Sequence, residues 1–169
     1  MQRPWMRILV AWVCLATALG LAASSAHAQE AIFFVRHAER LDDSADSPLS
    51  AEGRARAAKL GDMLRDARIT AVFVTEFQRT RDTGKPLADR LGLALKQIPA
   101  LDPATLVTTI RALGPQARVL VVGHSDTLPL LLDVFGVTEV KKIAKEEYDN
   151  LFIVLPSGKG APIFLRLRF

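Results

Sequence analysis

Short apolar runs alternate with amphipathic stretches along most of this chain, and the alternation predicts an order of strands and helices. Ala31 to Arg36 is nearly continuous in apolar, aromatic and β-branched residues, as a strand buried on both faces requires. A polar loop, Leu41 to Pro48, leads to Ser50, a suitable cap for a helix over Ala51 to Ala67. Ala71 to Val74 is a second strand. Phe77 to Leu91 is a second helix, expected to bend or restart where Gly84 and Pro86 interrupt it. Ala94 to Ile98 is a third strand, and Pro103 opens a helix from Ala104 to Leu113 that Gly114-Pro115 ends. Val119 to Val122 is the clearest strand, followed by an apolar helix, Leu128 to Phe135, with Gly136 as its stop. Lys141 to Tyr148 reads as a charged, solvated connection. Leu151 to Leu155, a turn over 156–160 and Pro162 to Phe169 form a closing hairpin. Strands and helices alternate until that hairpin. The expected class is therefore α/β: a single-domain three-layer sandwich with a mostly parallel central sheet flanked by helices.

Residues 1–28 fall outside this pattern and read as a secretory signal peptide. Arg3 and Arg7 form a basic start, Ile8 to Ala23 an apolar stretch, and Ala26-His27-Ala28 a small-x-small cleavage site. Gln29 would then begin the mature chain, with residues 29–169 as one catalytic-sized domain, periplasmic or secreted and not stably inserted in a membrane. Removal of the leader changes the composition. Cys14 is the only cysteine and leaves with it, so the mature domain has no disulfide and depends on its core. Arg3 and Arg7 leave as well, and no acid precedes Glu30. The balance of 22 basic against 18 acidic residues becomes 20 against 18. Basic and acidic residues are interspersed, with no stripe of the kind that nucleic-acid binding needs.

The same removal leaves two histidines, His37 and His124, each just past the end of a predicted strand. Loops beyond the carboxyl ends of parallel strands form the ligand crevice of an open sheet. Two imidazoles there, with Arg36 directly before the first, point to a shared anion site. Glu39 and Asp126, each two residues beyond a histidine, could complete a metal site, but the neighbouring arginines would repel a cation; no metal and no other cofactor is expected. Gly123 is expected to let the backbone approach a ligand closely.

Taken in order, Arg36-His37-Ala38-Glu39, the stretch from Ser47 to Ala57, the stretch from Thr75 to Thr83, and Val121 to Thr127 resemble the histidine phosphatase superfamily in its first, phosphoglycerate mutase-like branch. The likeness spans most of Ala31 to Phe135. Ala38 departs from a common glycine, Thr75-Glu76-Phe77 from a serine-containing start, and Asp126 from a small or amide residue. The resemblance implies a metal-independent phosphatase acting on phosphomonoesters or phosphorylated side chains through a phosphohistidine. His37 would be the nucleophile, and Arg36, Arg79 and a protonated His124 the phosphate pocket. The substrate would be a phosphorylated small molecule or a phosphoprotein. A phosphomutase and a non-catalytic binder of phosphorylated ligands are the alternative readings. Glu39 is expected to orient Arg36 or border the pocket, and Arg81 and Thr83 to be helix surface and buried hydroxyl. The general acid is the open position: Asp102 is expected to cap the following helix, and Asp126 to face the leaving group as proton donor.

Overall fold

Ten elements alternate along residues 30–158 and 160–169, the residues that the structure, a computed structural model, describes. Residues 1–29, which include the segment expected to be a signal peptide, and Lys159 of the expected turn lie outside them. The order is β1 (Ala31–Arg36), α1 (Ala51–Leu64), β2 (Ala71–Val74), α2 (Gln78–Leu91), β3 (Leu95–Gln97), α3 (Pro103–Arg111), β4 (Arg118–Gly123), α4 (Thr127–Val134), β5 (Asn150–Leu155) and β6 (Ile163–Arg168). The strands form one sheet in the order β3-β2-β4-β1-β5-β6. The first four are mutually parallel, and the hairpin adds two antiparallel strands at one side.

Alternation within each strand divides the core into two layers. Phe33, Val35, Val72, Val74, Leu120 and Val122 pack beneath Leu60 and Leu64 of α1 and Leu87 of α2. Ile32, Phe34, Phe73, Val119 and Val121 face the other way, against Ile110 of α3 and Leu128, Leu131 and Leu132 of α4. Adjacent strands β1 and β4 are therefore followed by helices on opposite faces of the sheet. Their outgoing loops separate at the carboxyl edge, and that is where an open α/β sheet forms its crevice.

Most element ends differ from expectation by a residue or two, and two differences in the first two helices have a clear cause. The first helix stops at Leu64, not Ala67, because the chain turns there: Ala67 N–H donates to the Leu64 carbonyl, and Arg68 takes a left-handed φ of 55° before buried Ile69. The second helix runs unbroken through Gly84 and Pro86, where an interruption was expected. Both residues are fixed by packing. A side chain on Gly84 would meet Val72 and Val74 of β2 at 3.1 Å, and Pro86 seats against Gly61 of α1. Tertiary contact here outweighs the hydrogen bond that a proline forfeits.

Candidate active site

The register of β1 and β4 places the two histidines side by side. Arg36 pairs with Gly123, and the His37 N–H continues the ladder by donating to the Gly123 carbonyl at 2.9 Å. The two imidazole centroids are 5.4 Å apart. They open on a cavity of about 490 Å³ that is also lined by Arg36, Arg40, Glu76, Phe77, Arg79, Leu101 and Asp126. Gly123 contributes differently from what was expected. A Cβ there would lie 2.9 Å from the Leu128 side chain, so the glycine admits α4 to the sheet and not a ligand to the backbone.

Hydrogen bonding sets the tautomer of each ring. His37 Nδ1 lies 2.8 Å from the Ala38 carbonyl, which can only accept; the proton is on Nδ1 and the lone pair of the neutral ring is on Nε2. Burial is the main cause that pushes the His37 pKa down to about 3; the hydrogen bond to Ala38 opposes it, and His124, Arg36 and Arg79 add to it. His124 Nε2 meets Thr75 Oγ1 at 3.1 Å, and Thr75 Oγ1 meets Thr80 Oγ1 at 3.0 Å. Thr80 gives its single hydroxyl proton to a carbonyl, Phe77 at 2.8 Å or Thr75 at 3.2 Å. Thr75 therefore donates to Thr80 and accepts from His124 Nε2–H, which leaves Nδ1 as the basic atom. Burial first and Arg79 second push the His124 pKa down to about 4, partly opposed by Asp126 and Glu76. The expected fourth positive donor is thus a neutral ring, and it becomes a positive donor only by taking up a proton together with an anion.

Both depressed histidines make the fold sensitive to acid. Between their ordinary value of 6.5 and about 4, the unfolded chain binds protons that the folded one does not, so stability rises with pH across that window. The stabilisation is fully present above pH 6.5 and is lost as pH falls through the folded values. Thermal unfolding followed from pH 7 to pH 4 is expected to show a steadily falling Tm, with a shallower fall in His124→Asn. A flat profile over that range contradicts these buried, neutral rings.

The arginines are anchored by loops. Arg36, 7% exposed, directs Nη1 to the carbonyls of Ala144 (3.0 Å) and Lys145 (2.8 Å), and Tyr148 covers the guanidinium with its ring centroid 4.1 Å away. The segment from Lys141 to Tyr148 is therefore not merely a solvated face; its backbone holds a site residue, while its charges remain outside. Arg79 Nη1 donates to the Ala45 carbonyl at 2.9 Å, and Phe77 lies between Arg79 (4.2 Å) and His124 (edge-on, 5.4 Å). Asp46, from the same loop as Ala45, accepts from Gln78 N–H and so caps α2 from a distance. In both arginines Nε is buried and unpartnered. The other two buried side-chain atoms without partners among the described residues, Arg118 Nε and Asn150 Nδ2, do not line the cavity. A buried donor left unmade costs roughly 1–3 kcal/mol, more when charged. With Nη1 tied back, each guanidinium keeps its Nε–Nη2 edge, the edge that grips two oxygens of a tetrahedral anion.

The remaining expected residues divide. Glu39 neither orients Arg36 nor lines the cavity; its carboxylate pairs with Arg56, through Nε at 2.7 and 3.0 Å and Nη2 at 2.6 Å. Its backbone is pressed against Gly53, where a Cβ would sit 2.3 Å from the Glu39 carbonyl oxygen. Asp102 caps α3 by accepting from Thr105 N–H. Asp126 lines the cavity, exposed, with Oδ1 taking the Thr127 N–H at 2.9 Å. Thr83 is a buried hydroxyl that joins two parts of the site: it accepts from Ala38 N–H (2.9 Å) and donates to the Arg79 carbonyl (2.7 Å). Arg81 donates to the Glu76 carbonyl. Among the described residues, no three His, Cys, Asp or Glu side chains are grouped to hold a metal ion. Sequence reasoning missed Thr75, Glu76, Phe77 and Tyr148. The first three were visible as a turn between strand and helix, but nothing local marked their roles.

The sequence model of the histidine phosphatase superfamily, branch 1, matches residues 32–106. That range holds Arg36, His37 and Arg79; His124 lies beyond it and joins them through β4. No curated protein sequence matches the chain. Among solved structures, the protein histidine phosphatase SixA, bound to tungstate, is 21% identical over 82% of this chain and 96% of its own, with a TM-score of 0.65. A mycobacterial glucosyl-3-phosphoglycerate phosphatase is 13% identical over 83% and 98%, with a TM-score of 0.63. At these identities the likeness is one of fold.

Proposed function

We propose that this chain, whose residues 32–106 match the model of branch 1 of the histidine phosphatase superfamily, is a member of that branch and a metal-independent phosphatase that hydrolyses phosphomonoesters through a phosphohistidine at His37. The observation that carries this reading is the pair of buried, unpartnered Nε–H groups of Arg36 and Arg79 beside a neutral imidazole. A phosphoryl dianion supplies acceptors for both forks and for a proton on His124. In-line attack by His37 Nε2 forms the N–P bond as the P–O bond to the leaving group breaks. The arginines hold the equatorial oxygens as the geometry at phosphorus inverts, and charge that builds on those oxygens meets donors already in place. His37 stays competent because its Nδ1 proton is committed to Ala38 and its Nε2 is unprotonated at neutral pH. Water then cleaves the N–P bond and releases inorganic phosphate. The leader pattern at residues 1–28 supports an exported setting for this reaction, where phosphorylated small molecules of the envelope are the fitting substrates.

The test is an assay of the mature protein on a generic aryl phosphate, with and without EDTA. Release of phosphate at the same rate under both conditions is expected. Loss of activity with EDTA would indicate a metalloenzyme, and tight phosphate binding without turnover would indicate a binder.

A further inference from the structure

A leaving alkoxide must be protonated as it departs, and the reading above leaves that proton without a source. Asp102 is committed to the α3 cap and does not line the cavity. Two carboxylates do line it, Glu76 and Asp126. We propose that Glu76 is the proton donor, and that the substrates are therefore alkyl phosphomonoesters, whose leaving oxygen requires one; the inference rests on the phosphatase reading.

Glu76 follows β2, three residues before Arg79, and its Oε2 accepts from Ala100 N–H at 2.8 Å. That bond pins the carboxylate to the loop that follows β3, on the cavity wall, and leaves Oε1 to carry a proton. Its backbone is held too, by Arg81 at the Glu76 carbonyl. The carboxylate acts electrostatically on both Arg79 and His124, as it must if it stands beside the bound phosphoryl group. Asp126 has the same influence but is exposed, whereas Glu76 is partly buried. A carboxyl held against the cavity wall and partly out of solvent passes a proton to a leaving oxygen with less competition from water than an exposed one, so Glu76 is the better placed of the two. In the first step the electron pair of the breaking P–O bond goes to the leaving oxygen, which takes the Glu76 proton as an alcohol. In the second step the carboxylate removes a proton from the water that attacks the phosphohistidine, and Glu76 ends protonated as it began.

The experiment compares Glu76→Gln, which keeps an oxygen for Ala100 N–H, with Asp126→Asn on two substrates: a simple alkyl phosphate and 2,4-dinitrophenyl phosphate. Glu76→Gln should lose on the order of 100-fold or more in kcat on the alkyl phosphate and only a few-fold on the dinitrophenyl ester, whose leaving group needs no proton. Asp126→Asn should slow both substrates by a similar, small factor. Affinity for inorganic phosphate should persist in Glu76→Gln. In the unaltered protein, kcat/KM should depend only weakly on leaving-group pKa across an alkyl and aryl series. Equal losses on both substrates, a selective loss in Asp126→Asn, or a steep leaving-group dependence in the unaltered protein would each overturn the assignment. Absence of turnover on every ester in the unaltered protein would instead remove the phosphatase reading on which it rests.

Discussion

His37→Ala is expected to abolish turnover, with kcat falling by on the order of 10⁴-fold, while inorganic phosphate and vanadate still bind. The two effects separate because His37 and the anion donors have different tasks. Binding depends on the Nε–Nη2 edges of Arg36 and Arg79, and neither arginine hydrogen-bonds to the His37 side chain. Chemistry depends on Nε2 of His37, a position that no neighbouring side chain replaces. His124 is close, at 5.4 Å between ring centroids, but its Nε2 is occupied by Thr75. The alanine variant should also lose less stability than the parent as pH falls from 6.5 to 4, since it removes a ring whose folded form favours the neutral state. Residual activity within tenfold of the parent would mean that another group attacks phosphorus.

Arg36→Lys is expected to lower kcat/KM by on the order of 10²–10³-fold and to weaken phosphate binding, although the charge is conserved. Arginine at this position does two things at once. Its Nη1 is fastened to the Ala144 and Lys145 carbonyls under Tyr148, and its opposite edge is thereby aimed with no freedom left to lose. A lysine ammonium can satisfy the carbonyls or the anion, but it has no fork with which to serve both. Steady-state kinetics with phosphate inhibition measures the two losses together. Near-parental kinetics in the lysine variant would show that positive charge alone suffices, and that the anchoring loop is unimportant.

Much of the site could be read from the sequence because its chemistry stands at strand ends. Arg36, His37 and His124 follow buried apolar runs, and parallel pairing of β1 with β4 does the rest. Arg79 was legible only through the resemblance, since an arginine one residue into a helix is ordinary. What could not be read were the supports. The carbonyls that hold Arg36 are more than a hundred residues away, and a carbonyl carries no residue-type signature. The same is true of Ala45 for Arg79. Glu39 was misplaced because its partner, Arg56, lies on the next helix, where it looks like any exposed basic residue. The interruption expected at Pro86 failed for a similar reason: Gly61, across the helix pair, makes room for it. Local propensity located the elements, and long-range packing decided their ends and partners.

The central claim, covalent transfer to His37, is tested most directly by rapid acid-free quench of the enzyme with excess 2,4-dinitrophenyl phosphate, followed by mass spectrometry of the digested chain. A phosphoryl group on the peptide that contains His37, stable to alkali and lost in acid, is the expected result, and it should be missing from His37→Ala. Steady turnover with no phosphoryl-enzyme at any time, or with the group on a different residue, would contradict the account.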